Sequence, residues 1–121
     1  MAARGEQRLL IMVAGPYSAP SAAARAANLA AMNRAAAEVL RRGHIPVIGV
    51  NAALPVLDAA GLAFGDPAMM TISLALAGRC DAVLQIGRSP GADREVATIR
   101  ARGGEVYRSV DELPRAAAAW A

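Results

Sequence analysis

The sequence predicts a doubly wound α/β domain with a parallel sheet of four to five strands and helices on both faces. Three observations lead to this prediction. Short apolar runs alternate with longer segments of helical periodicity, so the predicted order is β-α-β-α-β-α-β-α. Capping residues, several of them followed by proline, mark the helix starts. The length of 121 residues fits one domain, and right-handed crossovers between parallel strands place helices on both sides of the sheet.

The first predicted elements are a buried strand and a long helix. Residues 9–14 are apolar throughout and end at a glycine-proline pair, which is typical of a strand buried on both faces. Ser21 is placed to cap the following helix, whose large apolar residues recur on one stripe. We expect that helix to end at Arg42, because cations suit the negative end of the helix dipole and a glycine follows.

A second strand and a second helix are predicted for the middle of the chain. The strand covers residues 45–50 and contains a proline, which is tolerated at the edge of a sheet. Residues 51–65 are expected to form a loop with one helical turn. Asp66 is placed to cap the next helix, which has a proline in its first turn and is predicted to run to Ala77.

The last elements repeat the same pattern. Ser89 and Pro90 again combine an N-cap with a proline, and two glycines close the helix that they begin. The predicted elements are a strand at residues 82–86, a helix at 90–102, a strand at 105–107 and a terminal helix at 111–119. Residues 1–7 are expected to be a flexible N-terminus, and residues 8–121 to form the single domain.

The composition excludes several classes of protein. A hydrophobic fraction of 55% with only 19% charged residues excludes a disordered chain. Four aromatic residues are too few for a base-stacking platform, and the 13 cationic residues, all arginine, are scattered, so we expect no nucleic-acid partner. A single cysteine and a single histidine leave no disulfide and no Cys- or His-rich metal site. We therefore expect no metal and no cofactor.

The apolar run nearest the N-terminus loosely imitates a signal peptide. Gly15 and Pro16 interrupt it, so we interpret it as the first strand. No other run approaches the ~18 apolar residues that suggest a membrane span. The expected location is cytoplasmic, with no membrane partner.

A ligand site is predicted at the carboxyl ends of the strands, where the strand order reverses. If the order is 2-1-3-4, that point lies between the first and third strands, beside two loops at residues 15–21 and 87–91. Both loops bring a glycine and a hydroxyl group to the start of a helix, and two helix N-termini at one cleft favour an anion. The candidate binding residues are Gly15, Pro16, Ser18, Arg25, Gly87, Arg88, Ser89 and Gly91.

Several of these residues have structural alternatives. Ser89 can serve only as an N-cap, Tyr17 can pack over the edge of the sheet, and Arg25 can extend to water. Glu95 lies at the edge of the inward stripe of its helix and has no cation three or four residues later. It is therefore a candidate to face the ligand, the alternative being a solvated glutamate.

Four segments resemble the nucleoside 2-deoxyribosyltransferase-like superfamily, and most closely its uncharacterised bacterial and phage branch. They are Ala14-Gly15-Pro16-Tyr17, Arg42-Gly43-His44-Ile45-Pro46, Cys80-Asp81-Ala82-Val83 and Ser89-x-Gly91-x-x-x-Glu95. The resemblance covers residues 8–108 and implies a small flavodoxin-like, Rossmann-like fold. It also implies a nucleoside or nucleotide as ligand and a homo-oligomer, a dimer or tetramer, in which a neighbour often completes the site.

The resemblance assigns chemical roles to four residues. Glu95 would be the nucleophile that attacks the anomeric carbon of the sugar, which suits a carboxylate because breaking an N-glycosidic bond builds positive charge there. Ser89 and Gly91 would hold the 5′-hydroxyl or phosphate, and Tyr17 would orient the nucleophile or contact the sugar. The expected function is an N-glycosidase or deoxyribosyltransferase-type enzyme.

The sequence departs from the superfamily at the acid that protonates the leaving base. Active members commonly carry an aspartate on the helix before the third strand, whereas residues 69–76 contain no acid. Asp81 is predicted at the opposite end of the third strand, where a structural role is expected, and Asp66 and Asp93 are possible substitutes. A non-catalytic nucleotide-binding module is therefore the main alternative, and a structural oligomer with a vestigial cleft is another.

Overall fold

Four parallel strands form one sheet in the computed structural model, which describes residues 7–116. The strands are β1 (Leu10–Ala14), β2 (Ile45–Val47), β3 (Ala82–Gln85) and β4 (Glu105–Tyr107), in the spatial order β2-β1-β3-β4. The helices are α1 (Ala22–Arg41), α2 (Gly49–Ala59), α3 (Pro67–Ala77) and α4 (Pro90–Ala101), followed by a 3-10 turn at Val110–Glu112. The doubly wound, flavodoxin-like α/β prediction is confirmed, with four strands, and the order reverses between β1 and β3. The predicted flexible segment 1–7 lies outside the described residues except for residue 7.

Alternate residues of β1 enter two separate parts of the core. Ile11 and Val13 belong to a buried cluster that includes residues of α1, whereas Met12 and Ala14 belong to one that includes residues of α3 and α4. Both faces of the central strand are therefore covered by helices, which explains why residues 9–14 are continuously apolar.

The predicted caps begin the predicted helices. Each cap side chain accepts a hydrogen bond from a backbone N–H in the first turn of its helix, which satisfies one of the donors that a helix start leaves free. The donor-acceptor distances are 3.1 Å at Ser21, 2.9 Å at Asp66 and 3.0 Å at Ser89.

Two predicted elements are wrong. The second strand ends at Val47 rather than at residue 50, and residues 51–65 are not mainly a loop, because α2 occupies Gly49–Ala59 with Pro55 inside it. Proline interrupts helical hydrogen bonding at a cost of about 3 kcal/mol. Burial of Ala53 and Leu57, one turn apart on the same face, offsets that cost.

The terminal helix predicted at residues 111–119 is also wrong over its described part. The 3-10 turn ends at Glu112, and Leu113 adopts an extended conformation with ψ of 135°. Leu113 precedes Pro114, and the proline ring disfavours helical geometry in the residue before it. Residues 117–119 of that prediction lie outside the described residues.

Polar contacts join distant segments of the chain at the amino end of the sheet. The fully buried His44 accepts a hydrogen bond from the backbone N–H of Leu9 at Nδ1, 3.1 Å away, and its Nε2 contacts the carbonyl oxygen of Pro114, to which it donates. Asp81 Oδ2 accepts from the backbone N–H of Leu10 at 2.8 Å. Cys80 is buried beside it, and burial, with the charge of Asp81, raises the pKa of the thiol to about 11. Asp81 thus has the structural place expected from the sequence.

Replacing Asp81 with alanine is expected to lower the free energy of unfolding by about 1 kcal/mol, because the N–H of Leu10 loses a charged acceptor. Thermal or urea unfolding measures the change. Asp58→Ala is the matched control, since Asp58 is exposed on α2, and it should change stability by less than about 0.5 kcal/mol. Equal effects of the two substitutions would contradict the role given to Asp81.

Among the described residues, no helix combines the length and the apolar character that crossing a membrane would need.

Candidate functional site

A cleft of about 340 Å³ opens at the carboxyl ends of β1 and β3, where the strand order reverses. The loop after β1, the start of α2, the outer turns of α3 and the first turns of α4 contribute to its walls. The lining residues are Gly15, Tyr17, Ser18, Val50, Met69, Met70, Ser73, Ser89, Pro90, Gly91, Ala92 and Glu95.

The cleft brings together six of the ten candidate residues. Those six are Gly15, Tyr17, Ser18, Ser89, Gly91 and Glu95. The other four, which do not line it, are Pro16, Arg25, Gly87 and Arg88. The two predicted loops therefore do meet at one site, although the cations expected there point elsewhere.

Glu95 is the acid of this cleft. Its side chain is buried, with only 8% of the residue exposed, so the solvated alternative is wrong. Ser73 Oγ on α3 donates a hydrogen bond to Glu95 Oε2. Burial raises the pKa of the Glu95 carboxyl, and the hydrogen bond from Ser73 opposes that rise because it favours the charged form.

The start of α2 packs directly against this pair. A Cβ built on Gly49 would overlap Ser73 Oγ and would lie 3.0 Å from Glu95 Oε2. Only glycine allows the backbone of α2 to approach so closely. Three helices therefore meet at one carboxylate. Ser73 donates a hydrogen bond to it, and the backbone at Gly49 packs closely beside it.

Sequence reasoning missed Gly49 and Ser73. The predicted second strand includes Gly49, and the predicted site includes no residue of the helix that carries Ser73. A signal for Ser73 exists in the sequence, because it is a hydroxyl residue four residues before Ala77, on the face of the helix that is buried, whereas Thr71 lies on the exposed face.

Ser89 and Gly91 form the wall at the start of α4. Ser89 Oγ caps the helix through the N–H of Ala92, and the same residue lines the cleft, so the capping role and the site position coexist. A Cβ on Gly91 would lie 3.5 Å from Met70 Sδ. The cleft at this wall thus combines a helix N-terminus with the apolar surface of a methionine.

Tyr17 lines the cleft and packs against an aromatic ring outside it. The rings of Tyr17 and Phe64 meet edge to face, with centroids 6.2 Å apart. The Arg25 guanidinium lies 4.3 Å from the centroid of the Phe64 ring, and its Nη1 donates to the carbonyl of Ala19 at 2.8 Å. Arg25 therefore supports the loop after β1 and does not face the cleft, and the structure shows no hydrogen bond between Tyr17 and Glu95.

Pro16 and Gly87 lie where the two loops contact each other. A Cβ on Gly87 would lie 2.8 Å from Pro16 Cδ, so glycine is needed for the loops to touch. These residues bring the loops together without lining the cleft.

Arg88 turns away from the cleft and pairs with Asp93, with Nη2 and Oδ2 3.0 Å apart. The hydrogen bond from Arg88 lowers the pKa of the Asp93 carboxyl. Asp93 and the N-cap Asp66 do not line the cleft, so neither replaces the missing acid. Among the described residues that line the cleft, Glu95 is the only carboxylic acid.

Compared with known proteins, the chain matches no protein-family model and no curated protein sequence. In the described part of the chain, no group of three or more His, Cys, Asp or Glu residues is arranged to hold a metal ion.

Proposed function

We propose that this cleft binds a nucleoside or nucleotide and that Glu95 catalyses transfer or hydrolysis of its N-glycosidic bond. The observation that carries the proposal is the convergence of a buried carboxylate with Ser89 and Gly91 at a helix start, in one cleft. Its volume is at the small end of the roughly 300–1,000 Å³ range of ligand sites, which suits a ligand of nucleoside size. The likeness of the four sequence segments to the nucleoside 2-deoxyribosyltransferase-like superfamily agrees with this proposal.

Each wall of the cleft suits one part of such a ligand. The backbone at Gly91 and the hydroxyl of Ser89 suit a 5′-hydroxyl or phosphate, because a helix N-terminus favours a negative group. Met69, Met70 and Val50 supply apolar surface for the flat face of a base. In this arrangement the sugar lies beside Glu95, which lines the same cleft.

In the proposed reaction, a carboxylate oxygen of Glu95 forms a bond to the anomeric carbon. The bond between that carbon and the base nitrogen breaks, and its electron pair leaves with the base. The base takes a proton from water or from an acid of a second copy of the chain, since no second carboxylic acid among the described residues lines the cleft. Water, or the nitrogen of a second base, then attacks the same carbon, loses a proton and releases the Glu95 carboxylate.

The missing acid favours a second candidate, a nucleotide-binding module without catalysis. A general acid contributes roughly 10²–10⁴-fold to such reactions. Binding needs only the walls of the cleft and would survive the loss of the Glu95 charge, so the two candidates can be separated experimentally. An acid supplied by a second copy of the chain is a further part of the proposal, and self-association and a cytoplasmic location stay predictions.

The test is a chromatographic assay of free base after incubation with ribo- and deoxyribonucleosides and their 5′-monophosphates. We expect release from at least one of these substrates by the wild type and none above background by Glu95→Ala. No release, together with thermal stabilisation by a nucleotide, would favour the binding module. Absence of both would overturn the proposed ligand class.

A further inference from the structure

A second cleft, of about 360 Å³, lies along a different face of α4 from the first. It opens at the carboxyl ends of β3 and β4, because Gln85 is the last residue of β3 and Arg108 follows the last residue of β4. Its lining residues are Gln85, Arg88, Asp93, Val96, Ala97, Arg100 and Arg108. Neither Glu95 nor any other residue of the first cleft belongs to it.

A buried amide organises the polar side chains of this cleft. Only 5% of Gln85 is exposed. Its Nε2 donates to Asp93 Oδ1 at 3.2 Å, and its Oε1 accepts a hydrogen bond from Arg108 Nη1. Asp93 in turn binds Arg88 through both carboxylate oxygens, at 3.0 and 3.3 Å. Gln85 therefore links the guanidinium group of Arg108 to the carboxylate of Asp93, and Asp93 binds the guanidinium group of Arg88, so these side chains form one network without a ligand.

The charges of the cleft do not cancel. Three guanidinium groups and one carboxylate line the cleft, which leaves an excess of two positive charges. The side chain of Arg100 makes no hydrogen bond or ion pair within the described part of the chain, although Arg100 lines the same cleft. Glu112, four residues after Arg108, accepts hydrogen bonds from the backbone N–H groups of Arg108 and Ser109 and does not line the cleft. These backbone contacts also hold Arg108 in position.

We propose that the second cleft binds a phosphate-type anion with at least two negative charges, held among Arg88, Arg100 and Arg108. The planar fork of a guanidinium group matches two oxygens of a phosphate, and such bonds are stronger than neutral hydrogen bonds. A dianion also balances the excess charge of the cleft. The inference does not rest on the function proposed for Glu95.

The anion could be a free inorganic ion or the phosphoryl group of a small organic molecule. Isothermal titration calorimetry with inorganic phosphate, pyrophosphate and ribose 5-phosphate, at constant ionic strength in chloride buffer, compares these sources. We expect saturable binding of at least one probe, with chloride unable to compete. Tighter binding of ribose 5-phosphate than of inorganic phosphate would indicate an organic ligand, and the reverse a free ion. Absence of saturable binding by all three probes would overturn the proposal.

Substitutions at the arginines test whether the anion binds in the second cleft. Arg100→Gln leaves the Gln85 network intact and is expected to weaken binding about tenfold, the size of one lost hydrogen bond between charged groups. Arg100→Gln with Arg108→Gln is expected to weaken it further. The control combines Arg79→Gln with Arg94→Gln, which removes the same charge from exposed positions outside both clefts, one of them on α4 itself. An equal loss in this control, or an unchanged affinity in the cleft variants, would show that the anion does not bind there.

Discussion

Glu95→Gln is expected to lower base release by at least about a thousandfold, because an amide cannot replace a carboxylate nucleophile. The same substitution is expected to raise the stability of the protein at neutral pH, by on the order of 0.5–2 kcal/mol. Loss of activity with a gain in stability is typical of a charged group that is buried for function. Chromatography of released base and thermal unfolding of the same samples measure the two effects.

The pH dependence of the stability gain follows from the direction of the pKa shift. Burial raises the pKa of Glu95 in the folded protein above its ordinary value near 4.5. Below that value, the carboxyl is protonated in both the folded and the unfolded chain, and its full contribution to stability is present. As the pH rises through the folded-state pKa, the unfolded chain ionises more readily, so stability is lost. Glutamine does not titrate, and its advantage should therefore appear only above about pH 4.5.

A matched control separates this effect from the general loss of a negative charge. Glu38→Gln removes an exposed glutamate of α1 that forms an ion pair with Arg41, three residues later on the same helix. It should leave base release unchanged and shift stability by less than about 0.5 kcal/mol. If Glu95→Gln were no more stable than the wild type at pH 7, the carboxylate would not be held at a cost in stability.

Gly49→Ala is expected to lower the free energy of unfolding by about 1–3 kcal/mol, the usual cost of overpacking a core. The new methyl group would overlap Ser73 Oγ and lie 2.7 Å from Ser73 Cβ, with Glu95 Oε2 immediately beside it. The start of α2 or the Ser73 side chain must shift, and either movement disturbs the carboxylate. Urea unfolding gives the stability change, and we expect base release to fall at least about tenfold, since misplacement of a reacting group by ~1 Å can cost more than that.

A double-mutant cycle tests whether the overlap with Ser73 is the cause. In a Ser73→Gly background the overlapping atoms are absent, so Gly49→Ala should cost less stability there than in the wild type. Gly78→Ala is the control at a helix end with room, because its Cβ would meet its nearest atom at 3.5 Å. Equal costs of Gly49→Ala in the two backgrounds would place the strain elsewhere.

Local signals in the sequence were sufficient for most of the fold. The caps Ser21, Asp66 and Ser89 act within one turn of their own helices, so the residues that decide these boundaries are adjacent in the chain. The continuous apolar run at residues 9–14 likewise reports burial on both faces of β1. The main failure was α2, because Pro55 opposes a helix locally and only tertiary packing of α2 favours it.

The candidate site was predictable only in outline. The alternation of strands and helices in the sequence suggests the strand order, and the strand order predicts where the two loops lie. Ser73 and Glu95 are 22 residues apart in the chain and lie on different helices, so no local rule specifies their contact. The sequence prediction put Arg88 on the wrong side of its loop, because Arg88 pairs with Asp93 and the position of Asp93 beside Gln85 depends on the orientation of α4.

The polar contacts at His44 and Asp81 lie at the opposite end of the sheet from both clefts. They tie together segments that are distant in the chain, including Leu9 and Pro114, without using any residue of the carboxyl-end loops. Ligand preference can therefore change through those loops while the anchoring of the chain stays constant. Residues at the two ends of the sheet can therefore be substituted independently, in evolution or by redesign.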